Sequence, residues 1–310
     1  MIHVAESYLG ARLKALRRAQ NPDGGWAYFP GKRSWLEPTV YAALALAGEP
    51  AADRAWSLLQ GWQGADGSWR PSRDVAIENF GTALCVTLAL SQNRSGGGVN
   101  KAVNWLLGTA GTESSWMNRL VTRTGIVELD RDLSLKGWPW KPGTSSWVEP
   151  TAHALVALKK VLALKKAAKL APRAEMLETL RERVRMGEAQ LLDVRCTDGG
   201  WNYGNRSVRK VDLPAYPETT GIALVGLQGH SGLGPSLDYA AREAAQTRSP
   251  LGRAWLTIAL RLHDASVPSP SSSSTTPPPD LQILALEALA APEGNFKAFE
   301  TPVVSEGVRG

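Results

Sequence analysis

Three glutamates stand directly at the start of alanine-rich apolar segments: Glu37 in Leu36-Glu37-Pro38-Thr39, Glu149 in Val148-Glu149-Pro150-Thr151, and Glu218 in Pro217-Glu218-Thr219-Thr220. Glu78 precedes a fourth such segment, Thr82 to Leu90, in a looser register. A carboxylate at a helix N-terminus accepts amide hydrogen bonds and complements the helix dipole, which lowers its pKa. Several carboxylates crowded at one place, or buried against aromatic rings, do the opposite and hold at least one proton on. The same four side chains therefore allow a structural cap, a proton donor or a cation site. Candidate ligand-binding residues surround them: Trp35 and Trp147 just before Glu37 and Glu149, Tyr28 and Trp140 at equivalent loop positions, and Tyr41, His153 and Tyr216 close by. Aromatic faces around a polar group attract positive charge and also serve as plain packing surface.

What must position these residues is an internal repeat. Gly25 to Leu46 and Gly137 to Leu158 align without a gap, and about half of the positions are identical, including Trp26 with Trp138, Trp35 with Trp147 and both Glu-Pro-Thr triplets. Two weaker copies begin at Asp66-Gly67-Ser68-Trp69 and Asp198-Gly199-Gly200-Trp201. Each unit reads as a helix, a Gly/Trp turn, a loop and a second helix. Glycine supplies positive φ in the turn and aspartate bonds back to nearby amides. Proline after Glu37 or Glu149 suits the first turn of a helix, where its missing N–H costs nothing.

The second helices (Tyr41 to Leu46, Ala83 to Leu90, Ala152 to Leu158, Gly221 to Leu227, Leu256 to Leu260) are apolar all round, and the first helices carry charge on one face. That contrast separates a buried inner ring from a solvent-facing outer ring. The fold class expected is all-α, a single α/α toroid of about five to six helical hairpins over residues 1–291. A Ser/Thr/Pro-rich loop is expected at 267–279, and a weakly ordered tail at 292–310. Parallel inner helices would gather Glu37, Glu78, Glu149 and Glu218 at one mouth of the barrel. Insertions between Gly111 and Lys136 and around Ala171 to Glu188 enlarge individual repeats, the second by lengthening an outer helix.

Composition narrows the classes. A 310-residue chain with 43% hydrophobic residues has enough apolar content for a large core. Met1 to Gln20 reads as an amphipathic helix with Arg12, Lys14, Arg17 and Arg18 rather than a secretory signal, and no apolar run reaches the roughly 18 to 20 residues of a membrane span. A cytoplasmic protein is the expectation, with peripheral membrane contact left open. Cys85 and Cys196 are too few and too far apart for a disulfide framework or a cysteine zinc site. The formal charge of +6 is concentrated at Lys159, Lys160, Lys165, Lys166, Lys169, Arg173, Arg181, Arg183 and Arg185, read as a solvated helix face. No nucleic-acid module is present.

The segments Gln20-x-x-Asp23-Gly24-Gly25-Trp26 and Gln63-x-x-Asp66-Gly67-Ser68-Trp69 resemble the Gln/Trp repeats of squalene and other terpenoid cyclases, with Asp198 to Trp201 a partial third copy. The resemblance implies that Gln20, Asp23, Trp26, Gln63, Asp66, Trp69, Asp198 and Trp201 are structural, tying outer helix ends to neighbouring turns. Class II cyclases begin reaction at an Asp-x-Asp-Asp-Thr-Ala segment on an inner helix. Val148-Glu149-Pro150-Thr151-Ala152 and Leu36-Glu37-Pro38-Thr39 occupy that frame, with Glu at the acid position and Pro replacing the next Asp. Protein prenyltransferase β subunits are also similar, but Glu218 stands where a zinc-ligand histidine would be and no Asp-x-Cys opens an inner helix. The resemblance thus implies no metal and no cofactor.

Two functions from different classes stay open, with catalytic status undecided. One is a terpenoid-cyclase-like enzyme acting on an isoprenoid in the barrel cavity with Glu149 or Glu37 as acid. The other is a non-catalytic toroid binding a lipid, peptide or partner protein. A zinc prenyltransferase and a glycan-active α/α barrel are further alternatives. The expected ligand is an apolar small molecule, an isoprenoid or lipid; nucleic acid is not expected.

Overall fold

The computed structural model describes residues 7–114, 131–167, 174–269 and 276–302. Eleven α-helices are present among them. Five belong to an outer layer: α1 (Tyr8–Ala19), α3 (Pro50–Gln60), α5 (Gly97–Gly108), α7 (Ala174–Asp193) and α9 (Gly234–Gln246). Six belong to an inner layer: α2 (Leu36–Ala45), α4 (Gly81–Ser91), α6 (Val148–Ala167), α8 (Pro217–Gly226), α10 (Pro250–Leu262) and α11 (Leu281–Ala290). Each inner helix packs on the next, and α11 returns to α2, so the inner ring closes. The architecture is an all-α toroid. A two-stranded hairpin, β1 (Ser207–Val208) and β2 (Val211–Asp212), rises from the loop before α8.

Periodicity explains the layering. Along α4 and α8, every residue from Gly81 to Ala89 and from Thr219 to Gly226 is buried. In α3, by contrast, only Ala51, Ala52, Ala55, Trp56 and Leu59 are buried, a stripe at helical spacing. The lengthened outer helix is α7, with 20 residues. The insertion at 111–136 falls largely outside the described residues, as do 270–275 of the Ser/Thr/Pro loop.

One lock recurs four times. The amides of Trp26, Trp69, Trp138 and Trp201 donate to the hydroxyls of Thr39, Thr82, Thr151 and Thr220 at 2.8–2.9 Å. Their indole N–H groups donate to the carbonyls of Leu16, Leu59, Leu106 and Leu191 on the outer helices. All four rings are buried, so each Trp fastens the end of its outer helix to the start of its inner one. Gln20 Nε2 donates to Gly24 O and to Ala51 O, and Gln63 Nε2 donates to Gly67 O and Gly98 O, which ties each turn to the next outer helix. Asp23, Asp66 and Asp198 accept the amides of Gly25, Ser68 and Gly200. Gly67 has φ +96°, and a Cβ there would lie 2.5 Å from the Lys101 carbonyl carbon, so no other residue fits. The third unit lacks this turn. There Arg183 stacks over Trp138 and donates to Lys136 O and Thr109 O, while buried Glu113 accepts the amide of Ser146.

Three expectations are corrected. The tail is not loose from 292: residues 296–299 form a 3₁₀ turn and Phe299 is fully buried, while 303–310 lie outside the described residues. Gln228 clamps this segment, donating to Phe299 O at 3.0 Å and accepting from Thr301 N at 3.0 Å, and Asn295 donates to Leu44 O. Arg12 is not on a wet face but is buried, 2.8 Å from Glu287 of α11. Likewise Lys159 and Arg183 are buried; Lys159 Nζ reaches Glu188 at 2.6 Å and the carbonyls of Gly226 and Gln228. Burial of these cations is tolerated because each is paired or hydrogen-bonded. The side chains of Lys165, Lys166, Lys169 and Arg173 lie outside the described residues.

Candidate functional site

The inner helices begin at a common mouth. Its rim is stitched by backbone bonds from the starts of four of the six inner helices to the loop of the next unit: Leu36 N to Pro71 O, Phe80 N to Trp140 O, Val148 N to Tyr203 O, and Leu281 N to Tyr28 O. With the four threonines as a register, Glu37, Glu149 and Glu218 occupy one equivalent position, two residues before Thr39, Thr151 and Thr220. In the second unit that position is Phe80. Trp35, Trp147 and Tyr216 share another position, four residues before the threonine, where the second unit has Glu78. So unit two exchanges the two residue types. Glu78 is exposed on the loop before α4, outside the convergent set, and Phe80 fills the space a carboxylate would take.

Below the rim the pore is closed. Tyr41 and His153, at equivalent positions one turn into α2 and α6, meet across the axis with the Tyr41 hydroxyl 3.3 Å from His153 Nε2. Trp255 of α10 packs edge-on to Tyr41 at 5.6 Å and against His153 at 5.7 Å, and Phe80 covers His153 at 6.1 Å. Phe299 completes the stack from the opposite end, 5.5 Å from Trp255 and 6.4 Å from Tyr41. Each of these five side chains is at most 5% exposed. Tyr41 and His153, two of the candidate ligand-binding residues, thus form a buried floor below the rim. Phe80, Trp255 and Phe299 escaped the sequence reading; the threonine register would have found the first.

Glu37 and Glu149 stand beside that floor. Glu149 Oε1 is 3.8 Å from His153 Nε2. Glu37 has its pKa raised to about 8, first by burial and then by the nearby charge of Glu149. Burial, with help from Glu149 and Glu37, likewise raises the Tyr41 phenol well above its usual value. No Lys or Arg pairs with Glu37, Glu149 or Glu218 among the described residues. The Tyr203 hydroxyl donates to Glu218 Oε1 at 3.3 Å, and its own pKa is raised by burial and by Glu218.

Above the carboxylates stands a partly open aromatic collar. Tyr28 and Trp35 approach to 6.3 Å, Trp140 packs edge-on to Phe80 at 4.6 Å, and Tyr203 lies 5.3 Å from Tyr216. Trp147 lies against Gly204. Tyr203, equivalent to Tyr28 and Trp140 by its place two residues after the turn tryptophan, was not singled out from sequence. An open groove of about 680 Å³, lined by Asn21, Asp23, Ser34, Trp62 and Ser72 among others, reaches Trp35 from outside the rim. No group of three His, Cys, Asp or Glu side chains suited to a metal ion is found among the described residues.

No family model and no curated protein sequence matches this chain. Solved structures do. The type II terpene cyclase MstE from Scytonema, in complex with geranylgeranyl dihydroxybenzoate, is 17% identical with a TM-score of 0.50, over 83% of this chain and 71% of that one. The ent-copalyl diphosphate synthase from Streptomyces platensis is 14% identical with a TM-score of 0.51, over 82% of this chain and 49% of that one. The GH76 α-mannanase BT2949 of Bacteroides thetaiotaomicron is 10% identical with a TM-score of 0.52, over 94% of both chains. The fold is terpenoid-cyclase-like, and it is shared with a glycan-active enzyme. Likeness at this level speaks for architecture alone.

Proposed function

We propose that the mouth of this toroid binds an isoprenoid or similarly apolar small molecule, laid across the aromatic collar rather than inside the barrel. The observation that carries the reading is the partly open aromatic collar standing around Glu37, a carboxyl with no Lys or Arg partner whose pKa burial and Glu149 raise to about 8. An ionised cluster would repel an apolar ligand through its hydration; a neutral carboxyl lowers that cost and can donate a hydrogen bond to a ligand oxygen. The collar of Trp35, Trp147, Tyr28, Trp140, Tyr203 and Tyr216 supplies apolar contact area and attracts any positive charge on the ligand. The architecture shared with MstE, whose structure holds a geranylgeranyl compound, supports the ligand class.

Proton-initiated chemistry is the second reading, favoured by the pairing of protonated Glu37 with Glu149. An acid with a pKa near 8 is a weak donor towards an unactivated alkene, whose protonation calls for a strong acid, and no second Asp follows either glutamate. It suits transfer to a ligand oxygen better. Both readings are tested together by mixing the protein with geranylgeranyl diphosphate and with a long-chain prenyl alcohol. Native mass spectrometry reads binding, and extraction followed by mass analysis reads turnover. Binding that Trp147→Ala weakens and Glu37→Gln leaves intact is the expected result. A product that disappears in Glu37→Gln would promote the second reading, and failure to bind either probe would remove the first.

A further inference from the structure

Exposed large hydrophobic side chains are unevenly placed on this molecule. Of the eight among the described residues, six lie in the loops at the mouth: Phe29, Ile77, Tyr203, Val208, Val211 and Tyr216. The fourth unit carries most of them, because its loop is longer. Its turn tryptophan and threonine are 19 residues apart, against 13 in the other three units. The extra six residues correspond in length to the hairpin Ser207–Asp212.

The hairpin has an unusual tip. Val208 pairs with Val211, and the two residues between them, Arg209 and Lys210, both take left-handed backbone at φ 52° and 63°. A two-residue hairpin turn of that hand is normally built from Asn-Gly or Asp-Gly, which tolerate it without strain. Here the strained positions hold two cationic side chains at the outermost point, flanked by valines that are 50% and 64% exposed. The base is firm: Thr197 donates to Asp212, and Leu213 N donates to Arg206 O. The first two mouth loops repeat the combination, with Phe29 near Lys32 and Ile77 near Arg73 in the chain. Acidic groups are present as well: Asp74 is engaged by Arg33 and Asp212 by Thr197, Glu78 is exposed, and Glu37, Glu149 and Glu218 lie partly buried at the starts of their inner helices rather than on the protruding loops.

From these observations we infer that the mouth end, led by the hairpin tip Val208-Arg209-Lys210-Val211, docks onto an anionic lipid bilayer. Apolar side chains on separate protruding loops, each beside cations, suit a soft surface in which Val and Phe enter the acyl boundary and Arg and Lys meet phosphates. A protein partner calls instead for one continuous, complementary patch. The inference is independent of the ligand reading, since vesicles can bind or fail to bind whatever the collar holds.

The test is co-sedimentation of the full chain with phosphatidylcholine vesicles and with an equimolar mixture of phosphatidylcholine and phosphatidylglycerol, at low and high salt. Binding to the mixed vesicles should exceed that to the neutral ones by about tenfold and fall with salt. Two double variants separate the contributions. Arg209→Asn with Lys210→Gly installs the preferred turn, so the hairpin stays folded, and it should abolish the anionic preference. Val208→Asp with Val211→Asp should reduce binding to both vesicle types. Absence of binding to the mixed vesicles, or binding that neither variant lowers, overturns the proposal. So does concentration-dependent self-association that Val208→Asp with Val211→Asp abolishes, which would assign the surface to a second copy.

Discussion

The two ends of this barrel are closed by opposite means. At the base, a chain segment is threaded in: Phe299 enters the pore, Gln228 satisfies both a carbonyl and an amide of the segment, and Asn295 ties it to the end of α2. Every polar group named there has a partner. At the mouth, three carboxylates from α2, α6 and α8 open the inner helices with no Lys or Arg partner among the described residues, two of them beside the aromatic floor, and burial raises the pKa of one to about 8. Stability is concentrated where polar groups are satisfied, and chemistry is available where they are not. A toroid that needed only to be stable would have no reason to leave one end in that state.

The strongest way to break the contrast is at the base. Phe299→Ala should cost about 3–5 kcal/mol, because it removes a fully buried ring that touches both Tyr41 and Trp255 and leaves a cavity under the floor. Chemical denaturation at fixed pH measures it. A loss under about 1 kcal/mol would mean that the segment is an ornament and the floor stands without it. If the loss is large and the collar still binds its ligand, the two ends are energetically separate as well as differently built.

Much of this contrast could be read from residue order, and its limits are instructive. The Trp and Thr positions of each unit, the Glu-Pro-Thr triplets and the apolar second helices are local patterns with short, repeated spacing, so the ring of helices and its mouth follow from them. Glu78 falls outside the set because the loop before α4 carries its aromatic and acidic positions in exchanged order, an exchange that the 13-residue Trp69–Thr82 spacing shared with two other units makes legible. The plug was missed because 293–302 has no helical or strand period; its place depends on Gln228, some seventy residues earlier. Arg12, Lys159 and Arg183 look like surface cations until the distant Glu287, Glu188 and Thr109 carbonyl that satisfy them are known.

At the mouth the expected effect is smaller per pH unit and accumulates as pH rises. The Glu37 carboxyl rises from 4.5 to about 8 in the folded chain, so between those values the folded state holds a proton that the unfolded chain has released. Stability should therefore fall as pH rises through that window, by at most about 1.4 kcal/mol per pH unit, and level off above it. Glu37→Gln, neutral and nearly isosteric, should remove this slope and make the protein more stable at pH 8 than the parent. Urea titrations at several pH values read it directly. A slope unchanged in Glu37→Gln would place the proton on another group and remove the main support for the ligand reading.

The smallest effect belongs to the floor itself, where the two most similar units meet. Burial and two nearby glutamates keep the Tyr41 phenol protonated, and its hydroxyl shares a hydrogen bond with His153 Nε2, the direction set by the imidazole tautomer. A neutral pair of this kind contributes about 0.5–1.5 kcal/mol, and Tyr41→Phe keeps the ring that packs on Trp255 and Phe299. The variant should lose no more than that, with an unaltered pH profile. A loss of about 3 kcal/mol or more would show that His153 is charged and shared between Tyr41 and Glu149, 3.8 Å away. In that event the floor would belong to the ionisable mouth rather than to the packed base, and the boundary between the two regions would lie one helical turn deeper.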